Sequence, residues 1–108
     1  MFIVVAKYLI PKGYLGMTVF PFVFLRDADS KRNFNLIRHE CIHARQQIEM
    51  LVLPFFLWYL AEYLWGLVRL KKHAEAYRNI SFEKEAYGNE DNPEFLKQRA
   101  FWNFRKYI

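Results

Sequence analysis

His39 and His43 stand four residues apart in the run His39-Glu40-Cys41-Ile42-His43, an H-E-x-x-H arrangement. On a helix, residues i and i+4 lie about 40° apart on one face, so both imidazoles can point at one ion. Neutral imidazole nitrogens suit Zn²⁺ at ~2.0–2.1 Å. Glu40 adjoins His39 and cannot easily join the pair as a ligand, but it can reach a water on the metal as general base. Cys41 falls roughly 200° around the helix from His39. It is expected to point away from the ion, as a small core hydrophobe.

A catalytic zinc site needs a third protein ligand and an open position for water. His73, Glu75, Glu83, Glu85 and Glu62 are the candidates. If one helix runs from His73 to Gly88, then Ala76, Ile80 and Tyr87 fall within about 60° of Glu83. Glu83 therefore shares an apolar, core-facing stripe. A carboxylate there needs a compensating charge, which a metal or an arginine partner can supply. Glu85 projects with Arg78, Phe82 and Asn89, a mixed and wetter face, and is the second candidate.

The His39–His43 motif, followed by Ser81-Phe82-Glu83-Lys84-Glu85-Ala86-Tyr87, resembles the zincin metallopeptidases of the gluzincin type. The short length is similar to that of the minigluzincins. The resemblance implies His39 and His43 as ligands, Glu40 as base and Glu83 as third ligand. It also implies an edge strand beside the active-site helix that holds substrate in extended form, with Val19–Leu25 as the candidate. Tyr87 stands where those families place an Asp, so the carboxylate that usually backs a zinc histidine is missing from that position. Arg45 follows the motif where they generally carry an apolar residue.

The elements that must position these groups are legible in outline. Residues 2–10 are β-branched and aromatic, Pro11-Lys12-Gly13 is a turn signal, and Thr18 to Leu25 is a second β-rich run. Pro21 within that run cannot donate a ladder hydrogen bond, which suggests an edge or a bulge. Asn33 or Asn35 can cap a helix carrying the motif. Pro54 predicts a break or kink. A further helix is expected over roughly His73–Gly88, and a last one from Asn92-Pro93-Glu94 to about Lys106. The fold expected is α+β, a small N-terminal antiparallel hairpin or sheet packed against three to four helices.

The 108 residues suit a single zincin-like domain, 1–108, and 54% hydrophobic content excludes a disordered chain. One cysteine excludes a disulfide framework within the chain. Aromatic residues make up 19% of the chain, more than so small a core hides, so apolar surface should face a partner, a bilayer or another copy. The net charge of +5 is modest and its basic residues form no stripe, so no nucleic-acid partner is expected. Lys7 interrupts the opening apolar run, so no signal peptide is read, and a cytoplasmic or membrane-associated protein is expected.

Leu51 to Val68 is long enough, at ~27 Å of helix, to be considered as a membrane span. A single crossing would put His43 and Glu83 on opposite sides, where they could not share an ion. A buried or interface-lying helix is therefore expected, its side with Trp58, Tyr59, Tyr63 and Trp65 resting on a bilayer or a protein partner. Glu62 within it is expected to pair with a basic residue. Together these readings predict a zinc-dependent metallopeptidase acting on a peptide or protein substrate. The alternative is a small membrane-associated or assembly protein with a structural metal or none.

Overall fold

A computed structural model describes residues 2–108. Three short strands, β1 (Phe2–Val5), β2 (Gly16–Val19) and β3 (Phe22–Leu25), form a sheet in the order β1-β3-β2. β2 and β3 are an antiparallel hairpin, but β1 runs parallel to β3. The α+β class stands, with a mixed sheet where an antiparallel one was expected. Pro21 lies in the β2–β3 turn, where its missing N–H costs no ladder bond. The long connection through Pro11-Lys12-Gly13 lets the chain pass over β3, so β3 becomes the central strand. Alternation along it buries Val23 and Leu25, and Thr18 pairs with Val23 to complete the inner face.

Helix α1 (Phe34–Met50) packs on that face and carries the motif. Asn33 caps it, its side chain accepting from Leu36 N at 3.1 Å. α1 ends at Leu51, whose φ of 64° turns the chain before α2 (Val52–Leu70) begins. The two axes differ by 111°. The break expected from Pro54 thus comes three residues earlier, and Pro54 sits in the first turn of α2, where the N–H that proline lacks would have no helical partner. Among the described residues, no single helix is long and apolar enough to cross a membrane.

The helix expected over His73–Gly88 is two helices, α3 (His73–Arg78) and α4 (Ser81–Asn89). The cause is Glu62 on α2. Its carboxylate accepts from Ser81 N at 2.7 Å and Ser81 Oγ at 2.6 Å, fixing a new helix start there. Trp58 Nε1 also donates to it. Glu62 is therefore a helix cap rather than half of an ion pair. The helix expected to run to Lys106 is also broken, into α5 (Phe95–Gln98) and a 3₁₀ turn over Asn103–Tyr107. Between them Arg99 is extended, which carries its guanidinium inward to Glu85 and Glu49 at 2.6 Å each. Met50, Phe55, Ile80, Phe82 and Phe104 form the core that ties α1, α2, α4 and this C-terminal segment together.

Candidate metal centre

One turn of α1 separates His39 from His43, and both are buried. Their Nε2 atoms lie 3.2 Å apart. Glu83, on the first turn of α4, places Oε1 3.1 Å from each of them. The three ligand atoms thus form a nearly equilateral triangle. These are hydrogen-bond distances, and a cation at the centre, a proton or a metal ion, would satisfy all three atoms at once. This buried group could hold a metal ion.

The electrostatics of the cluster favour a cation at that point. Burial works against the charge on Glu83, but the adjoining His43 and His39 hold its carboxyl well below the usual range. Burial likewise works against a charged His43, yet the Glu83 carboxylate raises it to about 9. The Glu83 carboxylate therefore favours a positive charge on the imidazole side.

A supporting shell fixes the triangle. His43 Nδ1 donates to Gln46 Oε1 at 2.8 Å, which leaves Nε2 turned to the cluster. Gln46 Nε2 in turn donates to Glu85 Oε1 at 2.8 Å and Phe82 O at 3.1 Å. Tyr59 OH donates to Glu83 Oε2 at 2.7 Å. Tyr87 supplies no carboxylate to His39, but its ring packs edge-on against the imidazole at 4.4 Å between centroids. Glu90, three residues on, brings Oε1 to 3.7 Å from His39 Nδ1. A carboxylate from the end of α4 thus lies near His39, beyond hydrogen-bond distance.

Glu85 is not a ligand, nor does it face solvent. It is fully buried, with Arg99, Asn103 and Gln46 around it. The arginine pair weighed for Glu83 belongs to Glu85, because α4 is enclosed on both sides, by α1 and by the C-terminal segment. His73 is also outside the cluster, bonded to Tyr14 OH at 2.8 Å and Tyr63 OH at 2.7 Å. Cys41 is half-buried and not among the clustered groups. Burial, then the nearby Glu40 charge, push its thiol up and keep it protonated.

Glu40 lies beside the cluster in a cleft of about 470 Å³ that it lines with His43, Glu83, Tyr59 and Phe55. Thr18 on β2 donates its hydroxyl to Glu40 Oε1 at 2.8 Å. Gln47 pins the same strand to α1, donating to Thr18 O at 2.8 Å and accepting from Phe20 N at 2.7 Å. A Cβ at Gly16 would come within 3.2 Å of Phe24 O and 3.3 Å of Leu25 Cδ2, so glycine eases the close approach of β2 to β3. The edge strand beside α1 is therefore β2, whereas most of Val19–Leu25 is the central strand.

Gln46, Tyr59, Thr18 and Glu90 were not read from the sequence. Gln46 carried a signal, since it follows His43 by one helical turn on the same face. The other three approach through tertiary packing and have no local signature. No protein-family model, characterised protein or solved structure matches the chain. The case for the site rests on its own geometry.

Proposed function

We propose that the chain is a zinc-dependent hydrolase, a metallopeptidase that uses His39, His43 and Glu83 as ligands and Glu40 as general base. The observation that carries this reading is a three-donor cluster, of which His43 and Glu83 line the same cleft as the separate carboxylate of Glu40. Tetrahedral zinc at ~2.0–2.1 Å sets its ligand atoms about 3.3 Å apart. The observed 3.1–3.2 Å edges need only a slight spread. Two imidazoles and one carboxylate are also the donor set of a catalytic site, which keeps one position for water.

When bound, zinc supplies Lewis acidity and brings the pKa of its water near ~7. The protein's own groups do the rest. Glu40, oriented by Thr18, takes the proton of the attacking water and can return it to the leaving amine. Tyr59 holds the free oxygen of Glu83, so the ligand keeps one orientation. Phe55, Phe56 and Met17 give the cleft apolar walls suited to side chains of a peptide, with an extended substrate lying along β2.

The rival reading is a membrane-associated or assembly protein with a structural metal, favoured by the bare apolar face of α2. Glu40→Gln separates the two. It should retain fold and zinc while cleavage of an unfolded protein substrate falls by ~10²–10⁴. If neither form cleaves several unrelated substrates and zinc only raises the melting temperature, the rival reading takes its place.

A further inference from the structure

α2 has two faces with different surroundings. Phe55 and Gly66 are buried, and Tyr59 and Tyr63 line the cleft. Both tyrosines were expected on the outer side and are instead turned inward, which leaves Trp58 and Trp65 outside. On the opposite face Leu53, Leu57, Leu60, Leu64 and Val68 are each at least half exposed. Their spacing makes one stripe along the helix, joined by Trp65 at 64% exposure. Among the described residues, no charged or polar side chain of α2 interrupts it. Arg69, Lys71 and Lys72 stand exposed at its C-terminal end.

We propose that this face of α2 docks on the surface of an anionic phospholipid bilayer, with the helix lying in the interfacial plane. Three observations favour lipid over a second copy of the chain or another protein. The stripe is continuous and apolar, with tryptophan along one margin, as an interfacial helix requires. The charge at its end is of one sign, and anionic headgroups complement it. A second copy offers no acidic counterpart on this face, because Glu62, the one acidic residue of α2, is turned inward to Ser81. The helix is also unsuited to spanning, so it would rest on the membrane rather than cross it. The cleft lies on the other side of the same helix, about one helix diameter, ~10 Å, from the headgroups.

The test reads vesicle binding and is independent of any hydrolytic activity. The full chain is sedimented with vesicles of phosphatidylcholine containing phosphatidylglycerol, and with phosphatidylcholine alone. Binding is expected to be much stronger on the anionic vesicles. Lys71→Gln with Lys72→Gln should lower that binding roughly thirtyfold, at about fivefold per charge. Leu57→Glu with Leu64→Glu should abolish it without loss of the folded circular-dichroism spectrum. Quenching of the wild-type tryptophan emission by brominated lipid needs no variant and should be pronounced. Absence of quenching and of sedimentation would overturn the proposal. So would a wild-type dimer, seen by analytical ultracentrifugation, that the double glutamate substitution dissociates while vesicles bind neither form.

Discussion

Glu83 and Glu85 are two residues apart, both buried, and have unrelated tasks. Among the described residues, Glu83 has no cationic side chain beside it other than the histidines, whereas Glu85 is paired with Arg99. Glu83→Gln should therefore cost most of the zinc affinity and leave the chain folded, with only the His43 contribution to metal-free stability lost. Glu85→Gln should do the reverse, since removing one partner of a buried pair costs about 3–5 kcal/mol. Its effect on zinc should be smaller, about tenfold, transmitted through Gln46 to His43. Zinc titration and thermal melts of both variants check the contrast. The pH response belongs to the same residues. In the metal-free protein His43 is raised to about 9 from 6.5, so the folded chain holds that proton more tightly than the unfolded one. Its stabilisation is full below pH 6.5 and is lost as the pH rises through about 9. Metal-free melting temperatures should fall across that window. The zinc-loaded protein, with His43 already deprotonated, should not show this decline.

At the scale of elements, what the sequence disclosed followed local physics. Asn33 ahead of an uninterrupted helical run announces α1 and hence the i, i+4 histidine pair. The β-rich runs and the turn signals announce the strands, but the parallel pairing of β1 depends on a chain reversal that no local pattern encodes. The α3–α4 break was hidden for a similar reason. Residues 73–88 carry no breaker, and the interruption comes from Glu62, 19 positions upstream of Ser81. Glu83 is nevertheless buried as its phase implies, because it and Tyr87 both lie on α4, beyond the break. The surroundings of Glu85 were illegible because Arg99 comes from a segment whose sequence reads as a regular helix. Glu62→Ala tests the capping role. It should lower stability by about 1–3 kcal/mol, through unsatisfied donors at the start of α4. It should also weaken zinc binding, since α4 carries Glu83. Unchanged melting and unchanged affinity would show that α4 is held by its core contacts alone.

Across the whole molecule, α2 divides an apolar outer surface from a cleft with catalytic residue types. The aromatic excess in the composition is explained by this division, with rings both in the core and around the cleft, and two tryptophans outside. α1 and α4 close the His39, His43 and Glu83 cluster, and the sheet contributes only the strand that seats Glu40. The hydrolytic reading of the cleft presupposes that the His39, His43 and Glu83 triangle holds an ion. The most direct measurement is calorimetric titration of Zn²⁺ into metal-stripped protein, for the wild type, His39→Ala and Glu83→Gln, with circular dichroism confirming that each is folded. The prediction is a single zinc site per wild-type chain, lost in His39→Ala and severely weakened in Glu83→Gln. A folded wild type that takes up no zinc, or three proteins that bind it alike, would contradict it.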